Sequence, residues 1–256
     1  KFLGLTEENT KTNNGVTTGL AHIKELGVTH VQIMPMYDFA TVDEHNVSLF
    51  YNWGYDPAQY NVPEGSYSSD PDNPFSRIEE ARQMVETFHK NDIRVIMDVV
   101  YNHVYDMEAS SFEKVVPYYY FRRSNTGALS NGSFCGNDFD SNRLMARKYI
   151  LDSIKLWMTE YDVDGFRFDL MGVLDIETMN QVEALCRAIK KDSLVYGEGW
   201  NMPTSLPENM KANRYNQHLM PNIGHFNDFF REHVKGKTSH EEVNVKGYCA
   251  GDTSYI

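Results

Sequence analysis

Asp98, Arg167, Asp169 and Glu198 are the residues of this chain whose types and spacing could do chemistry together. Arg167 and Asp169 lie two apart in Phe166-Arg167-Phe168-Asp169-Leu170, so in an extended strand both side chains point to one face. A buried Arg and a buried Asp require each other, and an ion pair that only ties the fold together would also satisfy that requirement. Glu198 ends a further apolar run between Gly197 and Gly199, small neighbours that would let a ligand approach the carboxylate. Asp98 sits inside another apolar run, Arg94 to Val100, and Asn102 and His103 follow it closely. Glycoside hydrolysis uses two carboxyl groups across the scissile bond, one protonated to donate to the leaving oxygen and one ionised to attack the anomeric carbon. Asp169 and Glu198 fit that division. The guanidinium beside Asp169 would keep it an anion, and neighbouring carboxylates would favour the protonated form of Glu198. This chemistry leaves the sugar unidentified.

The elements that must position these residues are short β-rich runs alternating with helical patterns. Leu20, Ile23 and Leu26 share a helical face within Thr17 to Leu26, Gly27 offers a C-terminal cap, and Val28 to Met34 reads as a strand stopped by Pro35. After a long polar, aromatic-rich loop, Asn73-Pro74 starts a helix striped with Ile78, Ala81, Val85 and Phe88, and the strand Arg94 to Val100 follows. Ile150, Ile154, Trp157 and Tyr161 mark the next helix before the strand Gly165 to Asp169. Met179, Val182, Cys186 and Ile189 mark another before Leu194 to Glu198. Regular alternation of this kind means α/β architecture with parallel strands, either an open doubly wound sheet or a (β/α)8 barrel. No GxGxxG follows a strand and no GxxxxGK[ST] occurs, which removes most support for a nucleotide-binding sheet. Charged residues at the C-terminal ends of several strands favour the barrel, whose active sites lie there. Val104 to Asn142 is long enough for a loop excursion or small subdomain on that face.

Composition narrows the partners. The 256 residues carry 24 basic and 36 acidic side chains, a formal charge of −12, and no basic run long enough to follow a phosphate backbone, so nucleic acid is not expected. No stretch approaches the roughly 18 apolar residues of a membrane span. The chain opens on Lys1-Phe2-Leu3-Gly4-Leu5, without the apolar core of a signal peptide, and the opening reads as mid-domain sequence, so cytoplasmic and secreted locations both stay open. Cys135, Cys186 and Cys249 are widely spaced with no CxxC, the pattern of free thiols.

At Asp98-Val99-Val100-Tyr101-Asn102-His103, Gly165-Phe166-Arg167-Phe168-Asp169-Leu170-Met171-Gly172 and Tyr196-Gly197-Glu198-Gly199-Trp200, the chain resembles the first three signature regions of the α-amylase family of glycoside hydrolases, in order. Tyr51-Asn52-Trp53-Gly54-Tyr55-Asp56-Pro57 and Asp169-Leu170-Met171-Gly172 resemble segments of the type I pullulanases, the starch-debranching branch of that family. The resemblance implies a retaining enzyme acting on α-1,6 bonds of α-glucans such as pullulan, amylopectin and branched dextrins, with Asp169 as nucleophile and Glu198 as general acid and then base. It implies that Arg167 orients the nucleophile, that Asp98 and His103 hold the sugar before the cut, and that Tyr55 stacks on it. His103 alone would read as a capping histidine after a strand. Trp200 either lines the cleft or packs beneath its loop. Pro117-Tyr118-Tyr119-Tyr120-Phe121 divides equally between stacking on glucose and packing the loop. The sequence requires no cofactor and leaves calcium open: Asn102 occupies a position that can ligate calcium in some family members, while a hard cation wants about six oxygens and they cannot be assembled from sequence.

The chain also departs from the family. No His-Asp dipeptide supplies the third carboxylate expected near a seventh strand, and Asn222-Ile223-Gly224-His225-Phe226-Asn227-Asp228 resembles the sixth-strand region instead. The expectation is a partial (β/α)8 TIM barrel over residues 1–256, about the second through sixth strands, with the first, seventh and eighth absent. An unclosed barrel exposes two sheet edges, so the isolated chain is expected to be poorly soluble or inactive. An isoamylase-like debranching enzyme and an α-1,4-acting amylase stay open as alternatives. A non-catalytic glycan- or protein-binding barrel is disfavoured because both carboxylates of the pair are present.

Overall fold

The computed structural model describes residues 1–49, 51–237 and 244–254. It divides into two compact units, Lys1–Gly224 and His225–Ile256. In the first, α1 (Phe2–Thr6) and α2 (Gly19–Glu25) precede strand β1 (His30–Ile33), and β2 (Tyr37–Phe39) pairs antiparallel with β3 (Pro57–Pro63). Then come α3 (Pro74–His89), β4 (Arg94–Val99), the short α4 (Ser111–Val115), α5 (Leu144–Glu160), β5 (Gly165–Phe168), α6 (Ile176–Ile189) and β6 (Leu194–Gly197). The main sheet has the order β1-β4-β5-β6, with the two-residue β7 (Gly224–His225) next. The first four strands are parallel, as helical crossovers require. The second unit holds α7 (Asp228–Lys235), capped by the Asn227 side chain, and an isolated bridge between Gly236 and Lys246.

Local chemistry explains the long helices. Pro74 sits in the first turn of α3 while the Asn73 side chain accepts from Phe75 N at 3.1 Å, and Asp175 caps α6 by accepting from Thr178 N at 2.9 Å. The stripes predicted for α3, α5 and α6 bury Ala81, Val85, Phe88, Ile150, Ile154, Trp157, Met179, Val182 and Cys186 against the sheet. The expected face of α2 is narrower. Leu20 is 1% exposed but Leu26 is 61% exposed, because the chain leaves the helix at Leu26 and turns through Gly27 at φ 66°. Strand β1 is shorter than Val28 to Met34: its ladder with β4 runs from His30 to Ile33, extended at its start by Arg94 N donating to Thr29 O at 2.9 Å.

Register places the chemistry. Asp98, Arg167 and Tyr196 are successive partners across β4, β5 and β6, so they form one row. The Tyr196 hydroxyl also donates to Gln32 Oε1 of β1 at 2.7 Å. Three strand spacings of about 4.8 Å separate those strands in a flat sheet, so the sheet must curl its inner face closed, as a barrel wall does.

The loop expected between β1 and α3 contains the β2–β3 hairpin, and the hairpin braces the site. Buried Tyr37 and Tyr60 stack edge-on at 5.6 Å; the Tyr37 hydroxyl accepts from Val100 N and the Tyr60 hydroxyl donates to His103 O. The excursion after β4 is knit by isolated bridges Phe121–Phe139 and Arg123–Leu129 and by Phe112, Tyr120, Phe139 and Tyr149. Its Tyr-rich run splits: Phe121 is buried and Tyr118 faces solvent. Among the described residues all three cysteines are free thiols, and no helix is long and apolar enough to cross a membrane.

Trp157 joins these layers: its buried indole Nε1 donates to Tyr60 O at 2.9 Å and its ring lies 4.5 Å from that of Tyr161. Trp157→Ala should lower unfolding stability by about 3–5 kcal/mol. Urea unfolding checks this, with a lower midpoint at unchanged slope expected.

Candidate active site

Asp98 projects from the penultimate position of β4, with its side chain fully buried. Arg167 projects from the same row of β5, and Asp169 and Glu198 follow immediately after β5 and β6. One guanidinium joins all three carboxylates. Arg167 Nη1 lies 2.8 Å from Asp98 Oδ1 and 2.9 Å from Asp169 Oδ1, and Nη2 lies 2.6 Å from Glu198 Oε1. The guanidinium is therefore shared three ways, where the sequence reading gave it to Asp169 alone.

Each carboxylate has further partners. The Tyr55 hydroxyl donates to Asp98 Oδ2 at 2.8 Å, and the Arg167 guanidinium lies 5.9 Å from the Tyr55 ring. Leu170 N donates to Glu198 Oε2 at 3.0 Å. Leu170 holds φ 40°, an uncommon left-handed conformation for a branched residue, so the Glu198 carboxylate clamps the strained turn that directly follows Asp169. Burial lifts the Asp98 carboxyl from its ordinary 3.8 to about 6, with the Arg167 charge pulling the other way.

Asn102, which sequence reasoning marked only as a calcium-type position, is the residue it missed. Its Nδ2 donates to Asp169 O at 2.9 Å and to Asp169 Oδ2 at 3.0 Å, and its Oδ1 lies 2.5 Å from His103 Nδ1. An ionised carboxylate only accepts, so the amide nitrogen must face Asp169 and its oxygen must take a proton from His103 Nδ1. Burial pulls His103 down to about 4, so the ring is neutral near pH 7, with a backbone hydrogen bond to Tyr55 acting the other way. Both ends of the Asn102 amide are thus engaged. Among the described residues no group of three or more His, Cys, Asp or Glu side chains could hold a metal ion. The available signal was the Asn-His pair itself, an amide able to donate and accept beside an imidazole.

Two expectations change in detail. Gly197 is small because a Cβ there would come 2.5 Å from Phe168 O of β5, so backbone packing, not ligand approach, demands glycine. Trp200 is half-buried, and its backbone oxygen would sit 1.9 Å from a Cβ on Gly172. Among the described residues its indole makes no hydrogen bond or ring stack, so the structure leaves it outside the bonded cluster of Tyr55, Asp98, Asn102, His103, Arg167, Asp169 and Glu198. The Cys135 thiol is pushed up, by burial first and then by the Asp169 charge.

A family model described as alpha amylase, catalytic domain, matches residues 2–131. The chain is 50% identical over 252 residues to the pullulanase of Bacillus subtilis strain 168, covering 98% of this chain and 35% of that protein. It superposes with TM-score 0.95 and 51% identity on the pullulanase of Paenibacillus barengoltzii in complex with maltohexaose and alpha-cyclodextrin, covering 98% of this chain and 39% of that one. The maltotriose complex of a pullulanase from Anoxybacillus sp. LM18-11 gives the same TM-score and identity, over 98% and 36% of the two chains. The chain thus spans little more than a third of these relatives.

The Asp98 geometry has a thermodynamic consequence. Its folded-state carboxyl titrates near 6, above its ordinary 3.8, so the folded protein binds that proton more tightly. The resulting stability is fully present below about pH 4 and is lost as pH rises through 6. Urea titrations between pH 4 and 7 should show a shallower decline in Asp98→Asn than in the parent; parallel curves would contradict the assignment.

Proposed function

Because the chain belongs to the α-amylase family, we propose that it carries the catalytic carboxylates of a debranching glycoside hydrolase that cuts α-1,6-glucosidic bonds in pullulan, amylopectin and branched dextrins. The observation that carries this reading is the single Arg167 guanidinium holding Asp98, Asp169 and Glu198 at the C-terminal ends of three adjacent parallel strands. The reach of one guanidinium is consistent with the separation of roughly 5 Å that a double displacement uses. Asp169, fixed by Arg167 and Asn102, is the proposed nucleophile, and its attack would form a covalent glycosyl-enzyme. Glu198 is the proposed acid that protonates the leaving oxygen and the base that then activates water, so anomeric configuration is retained. For that proton transfer one Glu198 oxygen must leave Arg167 Nη2 or Leu170 N and turn to the leaving oxygen. Asp98, His103 and Tyr55 are the proposed contacts of the sugar before the cut. Trp200 is proposed to line the cleft.

The five-stranded sheet supports reading residues 1–256 as about the second to sixth strands of an eight-stranded barrel. The first, seventh and eighth strands and a third carboxylate are proposed to come from other segments of the complete enzyme. The α-glucans bound in the Paenibacillus and Anoxybacillus structures support the substrate class, and the likeness of residues 51–57 to pullulanases supports the linkage.

The complete enzyme carrying this chain should release maltotriose from pullulan; cutting of linear amylose alone would sink the debranching reading. Asp169→Asn and Glu198→Gln should each lower kcat by on the order of 10³-fold, since each carries a step no neighbour performs. A near-normal rate in either variant would mean that another carboxylate has the role.

A further inference from the structure

A second concentration of charge lies on the first unit, and the glycosidic chemistry does not use it. The excursion after β4, the start of α5 and Ser205 to Pro207 enclose a cavity of about 440 Å³. Arg122, Arg123 and Arg143 line it against one carboxylate, Asp140. That carboxylate is shared: Oδ1 accepts from Arg122 Nε at 2.9 Å and Oδ2 from Arg143 Nε at 3.1 Å.

The guanidiniums are left with donors to spare. The Arg122 side chain is 3% exposed, and its Nη1 donates to Val173 O at 2.7 Å and Thr204 Oγ1 at 2.6 Å. Its Nη2 is buried and meets no hydrogen-bond partner among the described residues, and neither does Arg123 Nε. The rest of Arg123 turns elsewhere, Nη1 to Gly127 O at 3.2 Å and Nη2 towards Glu113 at 3.8 Å. Buried charged donors without acceptors are costly to keep. The amino end of the 17-residue α5 adds its dipole to the same field, although one of its first-turn amides, Met145 N, already donates to the Tyr119 hydroxyl at 3.1 Å. A pocket lined by three cations and one anion, in a chain of formal charge −12, is a selective feature.

We propose that this cavity binds an oxyanion of the phosphate type, either free phosphate or a phosphomonoester carried on an α-glucan. A phosphate oxygen accepts without returning a proton, whereas a sugar hydroxyl brings a donor with each oxygen. The Arg122 and Arg143 guanidiniums meet at Asp140 from the excursion and the start of α5, with Arg123 Nε beside them without an acceptor among the described residues, and guanidinium is the side chain best shaped for the oxygens of a tetrahedral anion. Arg122 Nη1 already ties Val173, in the turn after β5, to Thr204, in the loop after β6. An anion on the same guanidinium therefore stiffens the link between the loops that follow Asp169 and Glu198.

Calorimetric titration of the complete protein with inorganic phosphate, at fixed ionic strength and with chloride as control, tests the site through binding and independently of glycosidase activity. Arg122 anchors two loops, so the informative variants are Arg123→Gln and Arg143→Gln, whose side chains are 26% and 53% exposed. Saturable phosphate binding, weakened tenfold or more in both variants, is expected. Heat no different from chloride, or binding unaltered in both variants, overturns the proposal. Glucose 6-phosphate and glucose distinguish the sources. Tighter binding of the ester than of phosphate assigns the site to phosphorylated glucan, and equal or weaker binding assigns it to the free ion. Glucose binding as well as its phosphate would overturn the site as an anion pocket.

Discussion

The Arg167 guanidinium is the interaction on which the site depends. Three carboxylates at adjacent strand ends would repel one another and the fold, and a buried charge left unpaired is expensive. Arg167 meets all three because β4, β5 and β6 are parallel and in register, so the row Asp98-Arg167-Tyr196 sets the distances before any loop contributes. A lysine could not do this, because a single ammonium lacks the planar fork that serves carboxylates on two sides. The sheet therefore exists in service of one cation, and the cation in turn allows acidic residues where the strands are otherwise apolar.

Around that centre the support is layered. The β2–β3 hairpin reaches under the end of β4 with two tyrosine hydroxyls, which hold Val100 and His103 by their backbones. Asn102 then fixes Asp169 with one end of its amide and His103 with the other. On the far side, Leu170 and Glu198 hold each other across the ends of β5 and β6. Each chemical group is thus oriented by a neighbour whose own rotamer is locked, which is how a site keeps its geometry without substrate.

Much of this was legible in the sequence. Periodicity located the helices because α3, α5 and α6 bury continuous stripes. The strands were legible because apolar runs carry a conspicuous acid, Asp98 within one and Asp169 and Glu198 at the ends of two others, while the first was marked by Gly27 before it and Pro35 after it. Other features depend on contacts distant in sequence. The hairpin was read as loop because Tyr37 to Phe39 is three residues long and its partner strand lies beyond a polar stretch. Asn102 was read by position alone, since only the folded turn shows that its amide is already engaged. Gly197 looked like room for a ligand, and the space belongs to the Phe168 carbonyl. The anion pocket had no sequence signature, because Arg122, Arg123 and Arg143 come together only when the excursion folds back on α5.

The charge count at the centre bears on the proposed chemistry. With Asp98 ionised, one guanidinium faces three carboxylates and the site is negative; with Asp98 protonated below about pH 6, it is nearer neutral. Glycoside cleavage passes through a transition state with oxocarbenium character, positive at the sugar ring. Net negative charge fixed before substrate arrives favours that state over the neutral ground state, and burial strengthens the effect. Glu198 must nevertheless give up a proton in the same step. A single cation shared three ways reconciles these demands: as substrate draws Glu198 from Arg167 Nη2, the guanidinium stays with Asp98 and Asp169 through Nη1. In the proposed reaction Asp169 remains the anion that attacks, while Glu198 is released to give a proton to the leaving oxygen and then to take one from water.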